Sequence, residues 1–183
     1  MVAIDERLMN AAKAGFEIEL STLLMDPGCD VLAKDENGMT ALMYAAYYGQ
    51  EACLRLLIPV SDALAKSGDG QTALMWAAYH GREACVWLLL RVSDALTKDI
   101  NGMTPLMWAA RRGQEECIKL LLPVSDALAK DKDGRTASSW AKEEGNQSLV
   151  KFLEAYELSQ TERTSIEVAV STSTPRKRAA PRV

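Results

Sequence analysis

Four stretches decide the reading of this chain. They are GMTALMYAAYYG from Gly38, GQTALMWAAYHG from Gly70, GMTPLMWAARRG from Gly102 and GRTASSWAKEEG from Gly134, each starting 32 residues after the last. A fixed period of this size marks a solenoid, in which each unit contacts only its neighbours. Such an array presents a long surface and no deep enclosed pocket.

Each copy reads the same way. Asn37-Gly38, Asp69-Gly70, Asn101-Gly102 and Asp133-Gly134 are tight-turn pairs, because these residue types tolerate positive φ. Thr40, Thr72, Thr104 and Thr136 follow, placed to cap a helix through the hydroxyl. Pro105 stands directly after Thr104, in the first helical turn where proline is tolerated. The alanine pairs at 45–46, 77–78 and 109–110 allow close helix approach, and Gly49, Gly81, Gly113 and Gly145 are predicted to end the first helix as left-handed caps. A second helix carries Cys53-Leu54-x-Leu56-Leu57, Cys85-Val86-x-Leu88-Leu89 or Cys117-Ile118-x-Leu120-Leu121, one broad apolar face. Pro59 and Pro123 stop it in two copies, and Val-Ser-Asp-Ala-Leu then leads to the next turn.

The motifs TALMYA, TALMWA, TPLMWA and the decayed TASSWA resemble the ankyrin repeat family, whose signature is T-P-L-H-x-A. The resemblance covers about residues 4–157. It implies an all-α solenoid of antiparallel helix pairs with β-turn fingers projecting at roughly right angles. Two departures matter. Met43, Met75, Met107 and Ser139 replace the family histidine, so its hydrogen-bond ladder should be absent and thioether packing should stand in its place. Val-Ser-Asp replaces Gly-Ala-Asp after the second helix and is one residue shorter, so Ser or Asp is expected to satisfy backbone groups in a tighter link.

The pattern gives five units including caps, at about 4–34, 35–66, 67–98, 99–130 and 131–157, within a domain spanning 1–160. Residues 8–15 align with 42–49, and Ser138 and Ser139 make the last unit polar, as a terminal unit needs. From residue 161 to 183 the composition turns to Ser, Thr and basic residues, read as a disordered tail. Its basic residues fit three readings: a solvated segment, a nuclear import signal, or the secretion signal of a bacterial ankyrin effector. After Glu167 come only Arg176, Lys177, Arg178 and Arg182 as charges; the whole chain is −4, so the part up to Glu167 is −8. A body this acidic argues against phosphate backbones. Asp5, Glu6 and Arg7 interrupt any apolar leader, and no apolar run approaches the length of a membrane span. The expectation is a cytoplasmic monomer, or one delivered into a host cell or nucleus, binding neither nucleic acid nor membrane.

No catalytic, metal or cofactor set is expected. Cys53, Cys85 and Cys117 sit in neighbouring units, about 10 Å apart by helix packing, beyond the reach of a disulfide or shared zinc, and read as core. His80 is the single histidine, so no triad or histidine metal set can form around a second copy. Asp131-x-Asp133-Gly134 lacks the first acid of a calcium loop, and no phosphate loop is present. An enzyme would need a site that none of these motifs provides.

The informative positions lie before the helix-ending glycines: Tyr47-Tyr48, Tyr79-His80, Arg111-Arg112 and Glu143-Glu144. In the resembled family this pair faces the concave surface. Tyr and Arg dominate interface hot spots, so Tyr47, Tyr48, Tyr79, His80, Arg111 and Arg112 form the expected binding stripe. Finger residues extend it: Glu36, Met39, Gln71, Ile100, Met103 and Arg135, with Met39, Ile100 and Met103 as exposed apolar contacts. Tyr44, Trp76, Trp108 and Trp140 are expected to pack between repeats. The implied function is a non-catalytic module binding a partner protein; the alternative is a secreted bacterial ankyrin effector acting on a host protein.

Overall fold

The structure is a computed structural model describing residues 4–173, with side chains described for 5–162. Helices come in pairs: α1 (Ile4–Ala14) with α2 (Glu17–Leu24), α3 (Ala41–Tyr48) with α4 (Glu51–Leu57), and α5 (Ala73–Tyr79) with α6 (Glu83–Leu89). Then come α7 (Pro105–Arg111) with α8 (Glu115–Leu121), and α9 (Ala137–Glu143) with α10 (Gln147–Ser173). A single 3-10 turn at Leu122–Val124 carries Pro123, and the described residues contain no strand.

The local signals act as read. Thr40 Oγ1 accepts from the Met43 N–H at 3.3 Å, and Thr72, Thr104 and Thr136 repeat the cap on Met75, Met107 and Ser139. Each cap satisfies one of the N–H groups that a helix start leaves without a partner. At the other end Gly49 adopts φ 77°, and the Gln50 N–H turns back onto the Ala45 carbonyl at 2.8 Å. Only glycine reaches that φ without strain.

The first helices of successive units, α1, α3, α5, α7 and α9, form one closely packed row, while α2, α4, α6 and α8 form a looser second row. Ala45, Ala46, Ala77, Ala78, Ala109 and Ala110 are fully buried, which is what lets the first row close up. Closer spacing on that row bends the array toward it, so the first helices line the concave side. Leu42, Leu74 and Leu106 from the first row meet Leu54, Leu57, Leu89 and Ile118 from the second in one continuous core. Each such side chain contributes about 1.5–3 kcal/mol on burial. Met43, Met75 and Met107, at the family's histidine position, are 1% exposed.

Polar links run between units at the same period. The Gly68, Ile100 and Lys132 N–H groups donate to the Asn37, Asp69 and Asn101 carbonyls at 2.8, 3.1 and 2.9 Å, tying each finger to the one before it. Lys34, Lys66 and Lys98 each extend Nζ to the carbonyl of the lysine 32 residues on. In the shortened link, Asp62, Asp94 and Asp126 accept from Leu64, Leu96 and Leu128. The neighbouring Ser61, Ser93 and Ser125 hydroxyls have no partner among the described residues, so aspartate alone does the work expected of either residue.

The last unit is covered by α10. Ser138, 7% exposed, donates to Glu157 Oε2 at 3.1 Å, and Tyr156 donates to the Leu122 carbonyl at 3.2 Å. The domain end read at residue 160 does not coincide with a helix end: α10 continues to Ser173, so the expected tail begins as helix. The cluster Arg176-Lys177-Arg178 lies outside the described residues.

Candidate protein-binding surface

The fingers are built on an aspartate that the sequence reading passed over. Asp35, Asp99 and Asp131 each accept through Oδ1 from two backbone N–H groups, two and four residues on, at 2.8–2.9 Å. The second oxygen takes the ring donor nine residues on: Tyr44 Oη for Asp35, Trp108 Nε1 for Asp99 at 3.1 Å, and Trp140 Nε1 for Asp131 at 3.2 Å. One carboxylate thus fixes both the finger and the aromatic of the following helix. Burial alone would raise the Asp35 carboxyl. The Tyr44 hydroxyl and the Met39 and Asn37 N–H groups outweigh it and hold the carboxyl below its usual range. Burial followed by this bond pushes Tyr44 up to about 12. The signal available in the sequence was Asp at 35, 99 and 131 with Ser67 in their register.

From this ladder the expected stripe projects. Position 47 of each unit leans on the aromatic of the next. Tyr47 meets Trp76 at 5.4 Å between centroids, Tyr79 meets Trp108 at 5.2 Å, and Arg111 lies over Trp140 at 5.0 Å. Lys13 does the same over Tyr44 at 3.8 Å. These residues are half-buried, and their rings or guanidinium join units together. The following position faces outward more at Tyr48 and Arg112, while His80 stays half-buried. Tyr48 is 46% exposed, His80 packs on Tyr47 at 3.9 Å, and the exposed Arg112 lies over Tyr79 at 5.0 Å. Partly exposed cation–ring contacts of this kind contribute about 0.5–1 kcal/mol. Burial, then Arg82 and Arg112, push the His80 imidazole below its ordinary value, and its Nε2 is buried with no partner among the described residues.

The fingers correct one expectation. Met39 and Met103 are 5% and 2% exposed and belong to the core, so they are not exposed contacts. Their N–H groups are held by Asp35 and Asp99, and the chain reversal after Gly38 and Gly102 turns the side chains beneath the finger. Gln71, in the same register, is half-buried; Ile100, at a finger tip, is 50% exposed. A groove of about 300 Å³ opens between the first two fingers, lined by Asn37, Tyr44, Tyr47, Tyr48, Asp69, Gln71 and Trp76, with Ser67 and the mostly buried Met39 also reaching its wall.

Elsewhere the structure offers little chemistry. Cys53, Cys85 and Cys117 are buried free thiols. Burial, with Glu51 beside it, pushes Cys85 up to about 11; burial, with Glu83, pushes Cys117 up to about 12. Among the described residues no three His, Cys, Asp or Glu side chains come together to hold a metal. No helix of the described residues is long and apolar enough to cross a membrane. An exposed apolar residue that the sequence reading missed is Trp87 on α6, 49% exposed beneath Arg91.

A family model of ankyrin repeats in three copies matches residues 8–99 and 91–164. No curated protein matches the chain. The match spans most of the chain and coincides with the helix pairs and fingers described above, and the chain belongs to the ankyrin repeat family.

Proposed function

We propose that the chain is a binding module that holds a partner protein against the first-helix row and the fingers, and performs no catalysis. Ankyrin repeats are in general protein–protein interaction modules. The observation that carries the specific reading is the run Tyr48, Tyr47, His80, Tyr79, Arg112, a chain of ring and cation contacts across three units on the concave side. Tyrosine brings large contact area at low conformational cost, and packing against neighbouring rings preorganises it further. Ile100 and Gln71 flank the run from the fingers.

The test is capture of partners from the source cell by the wild-type chain beside matched variants. Tyr48→Ala is the cleanest, because Tyr47 and Tyr79 also join units and their loss would weaken the fold. Tyr48→Ala and Arg112→Ala should each weaken capture, by about 2 kcal/mol or more if they are hot spots. Arg55→Ala and Lys119→Ala, on the second-helix row, should leave it unchanged. The reverse pattern, with each variant shown to be folded by circular dichroism, removes the concave face from consideration.

A further inference from the structure

Two arginines of the concave stripe lack carboxylates. Among the described residues Arg7, Arg55 and Arg135 pair with Glu19, Glu51 and Asp131, whereas Arg111 and Arg112 pair with none. Both are instead held by rings: Arg111 over Trp108 and Trp140, Arg112 over Tyr79. Arg82 stands near them, its Nε donating to the Tyr47 carbonyl at 3.2 Å. Its charge and that of Arg112 both act on His80. A guanidinium stacked on a ring keeps its N–H edges available for a planar acceptor. Two such groups, with Arg82 beside them, lie on one face of a chain that carries −8 up to Glu167.

What lies on either side of the cluster narrows the ligand. Toward the first units the ring contacts run from Arg112 through Tyr79, His80 and Tyr47 to the groove of about 300 Å³. That groove is faced by Tyr48 and by Trp76, whose indole N–H has no partner among the described residues. Toward the last unit the same register holds Glu143 and Glu144. A polyanion tracking along the array would run into those carboxylates, so a phosphate backbone is a poor fit. An isolated carboxylate beside an apolar side chain is a good one.

We propose that the bound segment of the partner is acidic: it seats an apolar or aromatic side chain in the groove beside Tyr48 and Trp76, and presents an Asp or Glu carboxylate to Arg112 and Arg111. This rests on the concave-face reading above and adds the chemistry of the partner to it.

The experiment uses the full chain and a displayed library of random twelve-residue peptides. Selection on the wild type should enrich sequences holding Asp or Glu near an aromatic or large aliphatic residue. A synthesised winner should bind about tenfold more weakly to Arg112→Glu, retain most of its affinity for Arg112→Lys, and weaken as salt is raised from 0.05 to 0.5 M, as a guanidinium–carboxylate pair requires. The Arg112 side chain is exposed and donates no hydrogen bond among the described residues, so its variants should fold; circular dichroism checks this. Winners that lose binding to Tyr48→Ala but ignore Arg112→Glu overturn the acidic segment and leave the concave-face reading standing. Winners sensitive to Lys119→Ala and not to Tyr48→Ala overturn both. Enrichment of basic or uncharged peptides, or no enrichment, overturns the proposal. So does a labelled single-stranded oligonucleotide whose binding is lost in Arg112→Glu.

Discussion

Trp108 donates its indole N–H to Asp99 Oδ2 across 3.1 Å, and Trp76, its equivalent one unit earlier, donates to nothing among the described residues. The difference is one side chain. Ser67 occupies the aspartate position, and its hydroxyl is engaged with Gln71, accepting from the backbone N–H at 3.2 Å. Its side chain is too short to reach the ring as well. A buried donor left without an acceptor costs about 1–3 kcal/mol.

Ser67→Asp should therefore stabilise the chain. The new carboxylate has the same backbone donors available that Asp99 uses, and its second oxygen faces Trp76. A gain of about 1 kcal/mol is expected in urea unfolding, and Asp99→Ala should cost about 1–3 kcal/mol. A Ser67→Asp variant that melts lower, beside a neutral Asp99→Ala, would show that the finger carboxylate does not hold the ring.

This ladder also shows what the sequence made legible and what it did not. The period, the Thr40 cap and the Gly49 stop are local: each follows from one residue type at one distance from a helix end. The partnership of Asp35 with Tyr44 needs the finger and helix already folded, since nine residues apart they share no periodic face. Met39 and Met103 failed for a related reason. A turn position next to glycine looks exposed in one dimension, yet the reversal directs the side chain inward. The continuation of α10 beyond Gln160 was hidden by a composition rich in Ser and Thr, whose helix propensity is only moderately poor.

The four thiols should separate in reactivity. Cys53, Cys85 and Cys117 are buried, and burial raises all three above their ordinary value. Cys29 is only half-buried, though burial and Asp5, Asp26 and Asp30 raise it too. With a chromogenic disulfide reagent at pH 8, Cys29 should react first and the other three only as urea unfolds the chain. Rapid reaction of more than one thiol in the native protein would refute the packing assigned to the cysteines.

His80 should make the chain acid-sensitive before its carboxylates titrate. Its folded value lies below the ordinary 6.5, through burial first and then Arg82 and Arg112. The unfolded chain therefore binds the proton more readily than the native one. The stability His80 contributes is complete above about pH 6.5 and is lost as pH falls toward the depressed folded value. Thermal melts from pH 7.5 to 5 should show this decline, and His80→Gln should flatten it. An imidazole titrating above 6.5 by NMR would reverse the sign.

The glycines at the finger turns provide a matched pair. Gly38 and Gly134 have nearly the same backbone angle, φ 74° and 80°. An alanine at either pays the same left-handed strain, about 1–2 kcal/mol. Their surroundings differ because Gly38 faces the next finger and Gly134 belongs to the last one. A Cβ at Gly38 would meet the Gly68 backbone nitrogen at 2.6 Å; at Gly134 it would meet nothing within 4 Å. That same Gly68 nitrogen donates to the Asn37 carbonyl at 2.8 Å, so relieving the clash also breaks a link between units. Gly38→Ala should thus destabilise by at least ~1 kcal/mol more than Gly134→Ala, the worth of the lost hydrogen bond. Equal losses in paired urea titrations would mean that the fingers do not press on one another, and that the array is held together by its helices alone.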